Sequence, residues 1–485
     1  MENDQNVIQN PVVSSQGNTS PNSASPQSAV ASASLQNPNL VTVGSPPTNP
    51  ARKFVPGKNI IKIILGLLFV LIIIAVVGFF ALPLLRDNLP SKGTIIYWGL
   101  WEDGKTMQAI ISDYERQNPE VKIDYSKQDI KLYRESLSTR IDNGTGPDIF
   151  TFHNTWYPMI SSILSPFPSD VITKEEFSKI FYPVAQKDLI KNGVIYGIPA
   201  EIDTLAMYIN TDLFKSAGIS VPRTWNDFID ASKALTVKDE NGKIKTAGAA
   251  MGTYDNVTHA PDILSLLFLQ NGVDLNDFVT HRERVEGALN FYTSFATSSD
   301  NVWDDTLDPS LLAFSKGNLA IFFGYSRDYF SIKKFNPNLS FHIVPVPQLA
   351  DQSVNLASYW ALGVSSKTIY QKQAFSFMKY FLSKEVQQKL YAEESKERAF
   401  GEPYARVDLA QSLNENPNIY PFVLQAPTAS SSFFVDSTHD NGLNQQLNTY
   451  LGNAVNSIYN RGSVESAFDT LSEGITLVMQ QYGAQ

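Results

Sequence analysis

Three features of the sequence predict an α/β protein preceded by one transmembrane helix. Residues 63–85 are an unbroken apolar run. From Thr94 onward, short β-branched and aromatic segments alternate with amphipathic stretches of helical period. The 485 residues are 43% apolar and 12% aromatic, enough to pack more than one core. The absence of cysteine excludes a disulfide framework, thiolate metal sites, a cysteine nucleophile and lipid attachment through an N-terminal Cys.

The elements follow in chain order. Residues 1–50 carry no Lys, Arg, Phe, Tyr or Trp and are built from Ser, Asn, Gln, Pro and Ala. Such a segment buries too little apolar area to offset its ordering entropy, so residues 1–57 are expected to be a disordered tail. The 23 residues from Ile63 to Leu85 contain no polar side chain. As a helix they reach across roughly 30 Å of hydrocarbon, so 58–86 is expected to be a signal anchor. Arg52, Lys53, Lys58 and Lys62 precede the run, whereas Arg86 and Lys92 follow it with Asp87 between them. The positive-inside rule then places the N-terminus in the cytoplasm and residues 86–485 outside. Residues 87–92 are a short linker. The whole chain carries a net charge of −10, and the part beyond residue 62 carries −12. An acidic body argues against general nucleic-acid binding, which needs a basic surface to displace counterions.

Thr94–Trp98 reads as a buried strand, 105–117 as a helix with Ile110, Ile111 and Tyr114 on one stripe, and Val121–Tyr125 as a second strand. A helix over 131–142 and a third strand over 148–152 follow. Strands alternating with helices imply a parallel sheet covered on both faces. Later helices are expected near 224–235, 283–297, 370–382, 384–395 and 444–460, with strands near 204–209, 319–323 and 340–345.

Seven segments, in order, resemble a known family. They are Ile95-Ile96-Tyr97-Trp98 opening into a loop, Gly146-Pro147-Asp148-Ile149, Val194-Ile195-Tyr196-Gly197-Ile198-Pro199, Tyr208–Phe214, Pro222–Asp227, Gly317–Ile321 and Tyr359–Val364. Together they resemble the bacterial solute-binding proteins of ABC importers, in the group that includes maltose-binding protein, from about Thr94 to Gln480. The resemblance implies a two-lobed periplasmic-binding-protein fold with a hinge and an interlobe cleft. One lobe would comprise 93–202 plus 338–398, and the other 203–337 plus 399–485. It also implies a monomer that captures a small solute, a mono- or oligosaccharide, and delivers it to ABC importer permease subunits. Arg398-Ala399-Phe400-Gly401-Glu402-Pro403 departs from the pattern, standing where relatives often have a glycine-rich segment ending in "LP".

Ligands of open α/β sheets sit beyond the C-terminal strand ends, and sugars need aromatic faces and planar polar groups there. Trp101 and Glu102 follow the first strand, and Asn154 and Trp156 follow the third. Asp203 comes where the maltose-binding relatives carry a sugar-contacting carboxylate, Tyr325 follows the Gly317–Gly324 segment, and Trp360 opens the returning strand. These seven are the candidate substrate-binding residues. Trp98 and Trp225 read as packing, and His153 as a polar loop residue.

Gly99–Thr106 fits the phosphate-loop pattern G-x-x-x-x-G-K-[ST] between a strand and a helix. Glu102 and Asp103, however, would put two negative charges where a triphosphate must sit. No pair of histidines has helical zinc spacing and there is no G-x-S-x-G elbow, so no catalytic residue, metal or cofactor is expected. Two other classes stay open: an extracytoplasmic glycoside hydrolase using carboxylates such as Glu102 and Asp203, and a ligand-sensing membrane protein.

Overall fold

The computed structural model describes residues 68–71, 93–274, 277–349 and 353–484. The chain divides into two compact units, Met1–Gly78 and Phe79–Gln485. In the first, residues 68–71 are helical and exposed. The expected tail over 1–57, the linker over 87–92 and the rest of the expected membrane span lie outside the described residues. Among the described residues no helix is long and apolar enough to cross a membrane.

The second unit is built on two five-stranded sheets. We number their ten strands in chain order: β1 (Gly93–Gly99), β2 (Val121–Lys127), β3 (Ile149–His153), β4 (Ile198–Pro199), β5 (Ala206–Asn210), β6 (Val237–Lys238), β7 (Ile244–Ala249), β8 (Leu319–Gly324), β9 (Phe341–Val344) and β10 (Trp360–Val364). The first sheet has the order β2-β1-β3-β10-β4, and the second β9-β5-β8-β7-β6.

In the first sheet, β1 runs parallel to both neighbours, with Gly99 opposite Lys127 and Trp98 opposite Phe150. β1 and β2 each lead into a helix, Gly104–Gln117 and Tyr133–Asp142. The helix Gly104–Gln117 buries Met107, Ile110, Ile111 and Tyr114, the i, i+3, i+4, i+7 stripe that a core-facing helix needs. Each such side chain contributes ~1.5–3 kcal/mol by leaving water. Gln371–Phe381 and Lys384–Glu397 pack on the same lobe.

The sheet is not purely parallel. β10 pairs antiparallel with both β3 and β4. The expectation of a parallel sheet is corrected here, and the reason is topological. β10 follows a segment returning from the second sheet, so it enters the first one from the opposite end. The second sheet is mixed for the same reason, with β8 antiparallel to β5 and parallel to β7. β9, which the sequence reading assigned to the first lobe, is an edge strand of this second sheet, with Phe341 opposite Asn210.

The second sheet is covered by Trp225–Leu235, whose start is fixed by a reciprocal Thr224–Asp227 capping box, and by Arg282–Thr297. The paired helices Leu443–Tyr459 and Val464–Tyr482 pack on Arg282–Thr297. Trp98 and Trp225 are buried in the cores, and Trp225 Nε1 donates to Gln270 Oε1 at 2.6 Å.

Three segments run between the sheets side by side. Leu205 N donates to Leu356 O at 2.9 Å, Ser358 N to Asp203 O at 3.1 Å, and Ile202 N to Pro403 O at 3.0 Å. These bonds put Glu201, Asp203, Ser358 and Glu402 where the two lobes meet.

A candidate ligand cleft

A cavity of about 180 Å³ lies between the lobes. On the first-lobe side its walls are Trp101, His153 and Trp360. On the second-lobe side they are Tyr325, Arg327, Asp436 and Ser437. Glu201, Asp203, Ser358, Arg398 and Glu402 close it where the chain crosses over.

The Trp101 loop is held by its backbone. Tyr125 and Lys127 end β2 beside the end of β1, so Tyr125 Oη donates to Glu102 O at 2.6 Å and Lys127 Nζ to Trp101 O at 2.7 Å. Gly99 is required at this point, because a Cβ there would collide with the Tyr125 ring. Trp360 lies opposite His153 in the β3–β10 register. It packs edge to face against His153, Trp101 and Trp156, with ring centroids 5.0, 5.2 and 5.4 Å away. Burial holds the His153 imidazole down at about 3, so it is neutral. Its Nε2 lies 3.0 Å from Ser358 Oγ.

The opposite wall is organised by carboxylates. Gly324 pairs with Ala206, which sets the end of β8 beside residues 203–205. Asp203 Oδ2 therefore accepts from Ser326 N at 2.9 Å and Ser326 Oγ at 2.7 Å, at the N-terminus of the helix Ser326–Phe335. Burial still pushes the Asp203 carboxyl up to about 8. Tyr325 Oη donates to Asp262 Oδ1 at 2.6 Å, and Asp436 N donates to Asp262 Oδ2 at 2.9 Å. His259, buried beneath, lies 2.9 Å from Asp328 and 3.3 Å from Asp436. These two acids outweigh its desolvation and raise it to about 10, so it is a fixed cation at neutral pH.

Of the seven residues singled out from the sequence, Trp101, Asp203, Tyr325 and Trp360 line this cavity. Glu102 lines a small adjoining cavity that shares Trp101, Glu201, Trp360 and Glu402 with the larger one. Trp156 is fully buried behind Trp360 and lines neither. Asn154 turns the other way, donating to Asp188 Oδ2 at 2.9 Å beside a separate 340 Å³ cavity. His153, read as a loop residue, is in the wall. Arg327, Glu201, Ser358, Asp436 and Ser437 were not singled out. Neither were Arg398 and Glu402, although they lie in the segment that departs from the resemblance. The phosphate-loop lysine is turned outward, where Lys105 Nζ pairs with Glu397 Oε1 at 2.6 Å.

Two α/β lobes, crossing strands and a walled cleft between them define a solute-binding protein. The family model described as bacterial extracellular solute-binding protein matches residues 98–388. The chain belongs to that family, whose members bind solutes and are not enzymes. Among curated relatives, the multiple sugar-binding protein of Streptococcus mutans is 24% identical over 328 residues, 62% of this chain and 74% of that one. Among solved structures, a cyclo/maltodextrin-binding protein complexed with maltotetraose superposes with a TM-score of 0.66 at 16% identity, covering 81% of this chain and 99% of that one. The GacH receptor of Streptomyces glaucescens, solved unliganded and with acarbose, gives a TM-score of 0.63 at 19% identity, covering 81% and 99%.

Proposed function

We propose that this protein is the membrane-tethered, extracytoplasmic capture component of an ABC importer for a carbohydrate. The observation that carries the reading is the wall formed by Trp101 and Trp360, facing polar groups of the second lobe across the cleft. Aromatic faces suit the C–H surface of a pyranose, and Asp203, Arg327, Asp436 and Ser358 suit its hydroxyls. The sugar-binding relative and the oligosaccharide complexes of the structural neighbours support the same class of solute. Closure of the lobes over the sugar would then form the surface that the permease subunits recognise. The apolar run 63–85 supports a single-pass anchor with the N-terminus inside, which would hold the binder at high local concentration beside its permease. Residues 86–92 would leave at most ~25 Å of extended chain between bilayer and lobe.

Calorimetry of the purified chain against mono- and oligosaccharides, a peptide and a polyamine tests the reading. Saturable binding of a sugar supports it. Binding of the peptide or polyamine with no sugar bound overturns the carbohydrate assignment. Protease treatment of intact cells tests the tether: digestion of the lobes with protection of residues 1–62 is expected.

A further inference from the structure

The cleft contains more acid than a neutral sugar requires. Behind the Trp101–Trp360 pair lies a second cavity of about 20 Å³, lined by Glu102, Glu201, Glu394 and Glu402 among apolar side chains. Its size suits one water-sized group. Glu201 is 6% exposed and Glu394 4% exposed. Glu201 Oε1 accepts from Trp360 N at 2.7 Å and Glu394 Oε2 from Glu402 N at 2.7 Å. The other oxygen of each, Glu201 Oε2 and Glu394 Oε1, meets no hydrogen-bond partner among the described residues. A buried carboxyl oxygen without a hydrogen-bond partner is costly, so these two oxygens call for one.

The nearby cation does not meet the need. Arg398 is engaged by Glu402 at 2.7 Å and by Glu394 Oε2 at 3.3 Å. No Lys or Arg nitrogen among the described residues lies within 4.0 Å of Glu102 or Glu201. A metal ion is a poor candidate, since no three acidic or histidine side chains among the described residues converge to hold one. A primary ammonium is the better match. It is water-sized, brings three donors, and is favoured beside indole faces.

Building on the carbohydrate reading, we propose that the solute is an amine-bearing sugar, with its ring in the 180 Å³ cavity and its ammonium in the 20 Å³ cavity between Glu201 and Glu394. The carboxyls are poised for such a guest. Burial and the neighbouring Glu402 raise Glu201 well above the usual range and lift Glu394 to about 8. An ammonium between them removes that penalty and lets both ionise. A neutral sugar does not.

Calorimetry of the full chain in detergent micelles, near pH 6 where amino sugars are charged, tests this with four probes. They are a β-1,4-linked glucosamine trisaccharide, its N-acetylated form, the corresponding glucose trisaccharide and spermidine. The amine trisaccharide is expected to bind at least about tenfold more tightly than either of the other two sugars, which corresponds to one strong charge-assisted contact. Glu201→Gln and Glu394→Gln, each checked for folding by circular dichroism, are expected to shrink that preference to about threefold or less. Equal or tighter binding of the neutral or acetylated sugar overturns the amine assignment and leaves the carbohydrate reading standing. Binding of spermidine with no sugar bound overturns both. A preference unchanged in both folded variants also overturns the placement of the ammonium.

Discussion

Trp360→Ala removes the side chain on which the first-lobe wall is assembled. Trp360 is 6% exposed and meets three aromatic rings edge to face at 5.0–5.4 Å. Each such contact contributes ~0.5–1.5 kcal/mol beyond area burial. Truncation of a buried tryptophan costs ~3–5 kcal/mol in all, because the cavity left behind collapses only partly. The Trp101 and Trp156 rings lose their common neighbour, so the effect extends to ligand affinity. Urea unfolding of wild type and variant measures the first quantity, and calorimetry with the best-binding sugar measures the second. A stability loss of ~3–5 kcal/mol is expected, together with at least about a tenfold loss of affinity. Trp360→Phe, which keeps an aromatic edge, is expected to recover roughly half of the stability. A loss below ~1 kcal/mol with unchanged affinity would refute the idea that this ring organises the cleft.

Further outcomes follow from the same geometry. Asp203 and Glu394 have folded-state values raised to about 8 by burial. A raised carboxyl contributes stability that is complete below its unfolded value and is lost as pH rises through the folded one. Ligand-free stability is therefore expected to fall by a few kcal/mol between about pH 5 and 8, and a flat profile in urea unfolding would contradict it. Gly99→Ala is expected to displace the Tyr125 ring and with it the bond that holds the Glu102 carbonyl, weakening sugar binding in calorimetry more than a distant surface change does. Lys105→Ala is expected to leave sugar affinity within about twofold of wild type, with no nucleotide binding, because the lysine is turned to solvent against Glu397. Ser326→Ala removes the hydroxyl donor to Asp203 and is expected to cost ~1 kcal/mol in urea unfolding.

Much of the fold was legible because its elements are long and strongly periodic. The helix expected over 105–117 is Gly104–Gln117, and that over 283–297 is Arg282–Thr297. Strand direction was not legible. Local pattern records that 360–364 is apolar, but whether it runs with or against β3 depends on where the chain has been since residue 199. The site was legible where a side chain follows a strand end, as Trp101 and Tyr325 do, or opens a strand, as Trp360 does. It was not legible one position further on. His153 ends β3 and lines the cavity, whereas Asn154 and Trp156 lie just beyond it in the Asn154–Trp156 turn, which buries both away from the cavity. Arg398 and Glu402 reach the cleft through a crossing segment of no regular period. Their only sequence signal was that the segment departed from the resemblance.

The most direct measurement of solute capture is a crystal structure of the protein with its best-binding sugar. Density for a sugar ring between the Trp101–Trp360 wall and the Asp203–Arg327–Asp436 side, in the cavity of about 180 Å³, is the expected result. A sugar lodged instead beside Asp188 in the 340 Å³ cavity, with the cleft unchanged, would contradict it.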